Sequence, residues 1–151
     1  MSTTPAPSQN SALDLAKPRK ALTKFLQRIL DGDYRRALRH TQISWVHMHT
    51  PDPRTALERQ MSVVILDGHT LTSFSVDDTP ADSKVPEVFG DCMVDLPFHI
   101  EVRASGDRGY SMSGIARMIC ERGYMKPDPK GKWGVNPISM ARGDRTDILP
   151  A

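Results

Sequence analysis

The sequence lacks the features that define several protein classes. It has two cysteines, Cys92 and Cys120, and no CxxC pair, which is too few for a disulfide scaffold. No apolar run approaches the roughly 20 residues of a membrane helix, so we do not expect a membrane protein. The formal net charge is only +2, but 38% of the residues are hydrophobic. A disordered chain would be less apolar and more charged, so we expect a folded core.

The 151 residues suffice for one ordinary domain and are too few for two. Residues 1–16 are rich in Ser, Thr and Pro and lack the basic start and apolar stretch of a secretory signal, so we expect a disordered leader. Residues 142–151 alternate charge and polarity, and we expect a flexible tail. The ordered domain is therefore predicted over residues 17–141.

The two cysteines are expected to be reduced, partly buried thiols in a cytoplasmic protein. A bridge between Cys92 and Cys120 would need two facing strands and an oxidising compartment.

The clearest helix is predicted over residues 18–31, with Pro18 in a first helical position. One stripe of this segment is apolar at helical spacing and should face the core: Leu22, Phe25, Leu26, Ile29 and Leu30. Two shorter helices are expected, over residues 33–40 and 54–60. Residues 41–49 fit either a strand or a further helical turn.

After residue 61 the hydrophobic period changes to two, which is typical of β-strands. Long strands are predicted over residues 93–104 and 110–122, and the second has apolar residues on both faces, as in a central strand. Pro97 is expected at an edge position or a bulge, and Pro137 at a bulge. Shorter strands are expected over residues 62–66, 69–76 and 132–141. Helices that precede strands indicate an α+β fold in which one antiparallel sheet curls over the first helix.

Two stretches of the sequence resemble the NTF2-like family, which has a cystatin-like α+β fold. The first is residues 25–34 (FLQRILDGDY), followed by Ala37-Leu38, Thr41 and Trp45. The second is residues 131–137 (GKWGVNP), which is similar to a closing strand of the form G-x-W-x-V. The resemblance implies N-terminal helices packed in the hollow of a curved antiparallel sheet, with a cone-shaped pocket. The family includes ketosteroid isomerase-like and polyketide cyclase-like enzymes, dehydratases, transport factors and binding modules, so the fold does not settle function.

One candidate catalytic site lies on the strand predicted over residues 93–104. Asp95, His99 and Glu101 stand at i, i+4 and i+6, so an unbroken strand places them on one face. On a concave face, a carboxylate with a raised pKa or a histidine could abstract a proton. Asp95 or His99 would then act with Tyr34 in a cofactor-independent isomerase, cyclase or dehydratase of a small hydrophobic substrate. The alternative is a solvated outer face, with the core stripe formed by the alternating residues Phe98, Ile100 and Val102.

Trp45 and Trp133 are expected to be core residues or walls of the pocket. Together with Tyr34, Asp95 and His99, they form the predicted binding set for a small apolar ligand.

His47 and His49 are the only close pair of histidines. On a strand, residues i and i+2 share a face, so both imidazoles could reach one metal ion. A metal site usually needs a third ligand, and no spacing in the sequence selects one. We therefore expect no metal and no other cofactor.

Charge is distributed unevenly along the chain. Residues 17–39 hold eight basic and two acidic residues, which gives +6, and residues 77–101 hold seven acidic and one basic residue, which gives −6. Lys20, Lys24 and Arg28 recur every four residues on one side of the first helix and are the expected partner-binding residues. The two patches could meet by charge complementarity, within one chain or between two copies.

We therefore favour a binding or assembly module, a homodimer through its sheet, over an enzyme. A protein partner or a small apolar ligand fits this hypothesis. Nucleic acid held by the basic helix is a weaker alternative, because no aromatic ladder accompanies the helix and the net charge is low.

Overall fold

The computed structural model describes residues 14–76 and 87–148, which form the predicted α+β fold. The helices come first and pack against one curved antiparallel sheet. The helices are α1 (Ala16–Leu30), α2 (Tyr34–Ala37), α3 (Ile43–Met48) and α4 (Pro53–Met61), with 3₁₀ turns at Leu38–His40, Ser105–Asp107 and Pro137–Ala141. The strands are β1 (Thr70–Val76), β2 (Glu87–Phe89), β3 (Met93–Arg103), β4 (Gly109–Gly123), β5 (Lys126–Pro127), β6 (Lys132–Asn136) and β7 (Gly143–Ile148). In this part of the chain, no helix is long and apolar enough to cross a membrane.

α1 packs against the sheet with the apolar stripe that the sequence predicts. The helix begins at Ala16, two residues before Pro18. Pro18 is tolerated there because a proline in the first turn breaks no intrahelical hydrogen bond. Residues 1–13 of the predicted leader lie outside the described residues. Four apolar side chains of the stripe are buried in the core: Leu22, Phe25, Leu26 and Ile29.

Within residues 41–49, Ile43–Met48 are helical, so the strand alternative for this segment is wrong. α3 begins after Gln42, and its Ser44 N–H donates to the carboxylate of Glu121 on β4. A short helix leaves its first N–H groups unpaired, and here a distant strand supplies the acceptor.

The strand predicted over residues 62–66 is also wrong, because turns follow α4. The hydroxyl of Tyr110 donates to the carbonyl oxygen of Val64 and accepts the N–H of Leu66 at 3.0 Å. This side chain satisfies backbone groups that a strand would pair with a neighbouring strand.

β4 is the central strand, as its apolar residues on both faces predict. It pairs with β3 without a register shift, from Met93 opposite Ile119 to Arg103 opposite Gly109. Its other side is shared by β5, β6 and β7.

Pro97 marks neither the edge of the sheet nor a bulge against β4, where it lies opposite Ile115. On the other side of β3, β1 pairs with residues 98–103 and β2 pairs with residues 93–95. Among the described residues, Pro97 therefore lies between two partner strands, where its missing N–H removes no ladder hydrogen bond.

Residues 143–148 of the predicted flexible tail instead form a strand, and residues 149–151 lie outside the described residues. β6 pairs with β4 only over Arg117–Glu121, which leaves the backbone of Gly109–Gly114 in need of partners. β7 supplies them, with Gly143 opposite Gly114. Most side chains of β7 are exposed, so no apolar pattern could indicate a strand.

β6 ends at Asn136, earlier than the predicted strand over residues 132–141. The side chain of Asn136 accepts the N–H of Ile138 at 3.0 Å. Pro137 opens a 3₁₀ turn and makes no bulge.

The helices and the concave face of the sheet enclose one core. Along β4, the even-numbered residues from Tyr110 to Cys120 are buried. Several large side chains on this side are essentially inaccessible to solvent, among them Leu96, Met112, Met118 and Met140. Most odd-numbered residues of β3 and β4 are at least partly exposed and point to the outer face of the sheet, but Pro97, Ile119 and Glu121 are buried.

Candidate functional site

The polar residues of β3 lie on the outer face of the sheet. Because β3 has no register shift against β4, Asp95, His99 and Glu101 share one face, while the alternating apolar residues join the core. Asp95 forms a bidentate ion pair with Arg117, with Oδ1–Nε and Oδ2–Nη2 distances of 2.8 and 3.0 Å. The exposed His99 has its Nδ1 2.9 Å from the hydroxyl of Ser113. These residues are therefore on the solvated side that the alternative hypothesis describes.

The aromatic residues of the predicted ligand-binding set lie on the other side of the sheet. Trp45 and Trp133 belong to the core, and Tyr34 packs against it. Burial, with a smaller effect of the Glu58 carboxylate, raises the pKa of Tyr34. The structure does not bring Tyr34 together with Asp95 or His99, so these residues form no common acid–base site.

His47 and His49 point in different directions, because residues two apart on a helix lie on nearly opposite sides. Nδ1 of His49 lies 2.8 Å from the carbonyl oxygen of Trp45, and its ring stacks on the indole at 4.0 Å. The ring of His47 lies 5.3 Å from that of Tyr124. In residues 14–76 and 87–148, no group of three or more His, Cys, Asp or Glu side chains could hold a metal ion.

Cys92 and Cys120 face each other across the β3–β4 pair. The N–H of Cys120 donates to the carbonyl oxygen of Cys92 at 2.8 Å, and both thiols are free. Burial raises the pKa of both thiols, that of Cys92 to about 11. The facing strands that a bridge would need are present, but the two thiols are reduced.

Basic side chains from three elements meet on one surface, which we call the basic cluster. Lys24 and Arg28 lie one turn apart on α1, Arg39 and His40 end the first 3₁₀ turn, and Lys132 begins β6. α1 packs against both the 3₁₀ turn and β6. The four cationic side chains all act electrostatically on the imidazole of His40, so the five groups form one cluster.

The environment of His40 favours its neutral form. Burial has the largest effect, followed by Lys132, Lys24, Arg28 and Arg39, and together they lower the pKa of His40 to about 4. Burial and Arg39 likewise lower the pKa of Lys132. His40 is therefore uncharged at pH 7.

The cations of the basic cluster form no ion pair with acidic side chains of the described residues. The ion pairs there use other partners: Arg36–Asp33, Arg54–Glu58, Arg103–Glu101, Arg117–Asp95 and Arg122–Asp128. Lys20 is exposed one turn before Lys24 and extends the cluster along α1. The cluster thus presents uncompensated positive charge to solvent.

A buried carboxylate fixes the chain that follows the basic cluster. Glu121 is only 2% exposed. It accepts hydrogen bonds from the N–H and the hydroxyl of Ser44, at 3.0 and 2.8 Å, and from Nε2 of Gln42 at 3.3 Å. Next to this network, Thr41 forms a parallel bridge with Val135 of β6. The segment after the 3₁₀ turn is therefore held against β4 and β6.

Sequence reasoning found Lys20, Lys24 and Arg28 but missed the part that His40 and Lys132 play. Only the packing of β6 beside α1 reveals it, because Lys132 is remote from the helix along the chain. No family model, no curated protein and no solved structure matches this chain. A functional proposal therefore rests on the geometry and charge of the basic cluster.

Proposed function

We propose that this protein is a small binding or assembly module that holds an acidic segment of a partner protein on its basic cluster. The observation that carries the proposal is the convergence of Lys24, Arg28, Arg39 and Lys132 with no ion-pair partner among the described residues. Like charges held together repel each other, and an anionic partner removes that repulsion while gaining attraction to each cation.

The basic cluster stands on a rigid support. α1 carries Lys24 and Arg28 on its solvent side while its apolar stripe is buried against the sheet. The hydrogen bonds to Glu121 fix the chain after His40. Preorganised side-chain positions lower the entropy cost of binding, which favours recognition by this surface.

An acidic protein segment suits the basic cluster better than a nucleic acid does. Proteins that bind single strands use exposed aromatic rings on which bases stack. The two tryptophans of this chain, Trp45 and Trp133, are at most 9% exposed and belong to the core. The composition of the chain also includes an acidic stretch over residues 77–101, so a second copy is one protein that carries suitable charge.

The NTF2-like resemblance is part of the same proposal. It is supported by helices that pack against the concave side of a curved antiparallel sheet. The proposal also includes a homodimer that forms through the outer face of the sheet. Light scattering at increasing protein concentration tests for this dimer. A protein that remains a monomer at high concentration would remove the homodimer and leave the basic cluster untouched.

The central test is fluorescence anisotropy with a labelled twelve-residue peptide of Asp and Glu, at low and at physiological salt. The double variant Lys24→Glu/Arg28→Glu is expected to bind about tenfold or more weakly than the wild type, because two attractions become two repulsions. Lys126→Glu/Arg59→Glu makes the same change of net charge on exposed residues elsewhere and is expected to bind nearly as well as the wild type.

Three results would contradict the proposal. The first is absence of peptide binding at low salt, and the second is equal weakening by the two double variants. The third is tighter binding of a twenty-residue oligothymidylate than of the peptide at equal salt, which would favour the nucleic-acid alternative.

A further inference from the structure

We propose that the basic cluster around His40 is a phosphate-binding point, which takes a phosphorylated side chain of the acidic partner. This inference rests on the proposed function and names the chemical group that the cluster recognises. It concerns Lys24, Arg28, Arg39, His40 and Lys132, which come from α1, the first 3₁₀ turn and β6.

The concentration of charge favours a multiply charged ligand. Four cationic side chains act on the single imidazole of His40, and their elements pack together, α1 against both the 3₁₀ turn and β6. None of the four forms an ion pair with an acidic side chain of the described residues. A carboxylate brings one negative charge, whereas a phosphorylated side chain carries between −1.5 and −2 near neutral pH and has three strong acceptor oxygens. A phosphate therefore compensates the cluster more completely than one Asp or Glu side chain does.

The types of donor in the basic cluster also match a phosphate. Arg28 and Arg39 each provide a planar fork of N–H donors that fits two phosphate oxygens at once. Lys24 and Lys132 provide ammonium groups, which act as compact point charges with rotatable donors. The four side chains come from three elements that pack together, so more than one element can contribute a contact to a tetrahedral group.

His40 gives the cluster a neutral donor. A neutral imidazole has one ring N–H to donate and adds no further positive charge. A bound phosphate would offset the field of the four cations, and that field is one cause of the low pKa of His40. The pKa of His40 is therefore expected to rise when phosphate binds. This shift is a local readout that a remote effect of charge on binding would not produce.

The test compares three acidic peptides that differ at one position, which holds phosphoserine, serine or glutamate. Wild-type protein is expected to bind the phosphoserine peptide about tenfold more tightly than either of the others, as charge-assisted hydrogen bonds to a dianion predict. His40→Gln and Lys132→Met should each reduce this preference. Lys126→Met, an equal loss of charge at an exposed residue outside the cluster, should retain it.

A second measurement follows the imidazole resonances of His40 by NMR during titration with inorganic phosphate. We expect saturable shifts and a raised pKa of His40 in the wild type, and smaller shifts in Lys132→Met. Unchanged His40 resonances would overturn the inference, as would equal affinities for the phosphoserine and glutamate peptides.

The outcomes separate this inference from the proposed function. If all three peptides bind equally well and Lys24→Glu/Arg28→Glu weakens the binding of all three, the phosphate-binding inference is wrong and the proposed function as a binding module is retained. If no peptide binds but inorganic phosphate shifts the imidazole resonances of His40, the cluster binds phosphate and the proposed acidic protein partner is wrong. Circular dichroism of each variant verifies that it is folded. If His40→Gln does not fold, the result with Lys132→Met tests the inference.

Discussion

The carboxylate of Glu121 accepts a hydrogen bond from the backbone N–H of Ser44 across an N–O distance of 3.0 Å, at the point where α3 begins. The hydroxyl of Ser44 bonds to the other oxygen of the same carboxylate at 2.8 Å. One buried acidic side chain of the central strand thus holds the start of a helix through Ser44, which lies 77 residues earlier in the chain.

Replacing Glu121 is expected to destabilise the fold. Glu121→Leu leaves the N–H and the hydroxyl of Ser44 without their acceptor, and the free energy of unfolding should fall by about 2–4 kcal/mol. Glu121→Gln keeps one acceptor oxygen and should cost about 1–2 kcal/mol. Urea denaturation measures both. Glu58→Gln, which removes an exposed ion pair with Arg54, is the control and should cost about 0.5 kcal/mol or less.

Gly134 allows the segment before α3 to lie against β6. A Cβ atom at this position would stand 2.6 Å from the carbonyl carbon of Thr41 and 2.7 Å from the backbone nitrogen of Gln42. Gly134→Ala should therefore lower the free energy of unfolding by about 1–3 kcal/mol, as overpacking does elsewhere. In Gly123→Ala the nearest atom to the new Cβ is 3.7 Å away. If thermal denaturation finds equal loss in the two variants, the close approach at Gly134 is not the cause.

The protonation of His40 should make stability depend on pH. Its pKa is about 4 in the folded chain against an ordinary value of 6.5. Between these values the unfolded chain binds a proton that the folded chain does not, so the free energy of unfolding falls as pH drops from about 6.5 to 4. His40→Gln removes this contribution, and its Tm should fall less than that of the wild type between pH 7 and pH 4.5. Identical pH curves for the two proteins would show that His40 is not the group responsible.

The thiols of Cys92 and Cys120 should react slowly in the folded protein. Burial raises the pKa of both, that of Cys92 to about 11 from an ordinary 9.0, so little thiolate is present at pH 8. Iodoacetamide should modify the folded chain about tenfold or more slowly than the chain in concentrated urea. Mass spectrometry at timed intervals measures both rates, and rapid modification of Cys92 in the folded protein would contradict the expectation.

Removing β7 should weaken the sheet although its side chains are mostly exposed. Deletion of residues 142–151 leaves the backbone of Gly109–Gly114 without partners on one side, and the free energy of unfolding should fall by about 2–4 kcal/mol. The exposed strand edge should also promote self-association, which light scattering detects. Deletion of residues 149–151 alone keeps β7 whole and is the matched control.

The sequence predicts the elements whose apolar pattern is long enough to be unambiguous. The stripe of α1 runs over nine residues, from Leu22 to Leu30, and the alternation of β3 and β4 spans more than ten residues each. These segments also determine the α+β class, because their side chains make most of the core. Pattern alone was sufficient here since burial along each element follows a single period.

The remaining elements depend on contacts between segments that are distant in sequence. α3 is too short for a helical period to distinguish it from a strand, and its start is stabilised by Glu121. β7 has no buried stripe, because it is held by its backbone pairing with β4 and by the contacts of one exposed side chain, Arg145, with Val63 and Tyr110. Lys132 joins Lys24 and Arg28 only when β6 packs beside α1. The spacing along the first helix therefore indicated two of the five groups of the basic cluster, and tertiary structure supplied the rest.

The pairing of Gly114 with Gly143 explains how β7 finds a unique alignment. A Cβ at Gly143 would lie 2.6 Å from Cε of Met112 and 2.7 Å from the carbonyl oxygen of Ser113. A slip of β7 by one residue would place Arg142 or Asp144 there, and either would collide with these atoms. Most strands obtain their register from a buried apolar face. Here steric exclusion at a single small residue selects the register, so β7 can keep a mostly polar sequence and still pair in one register.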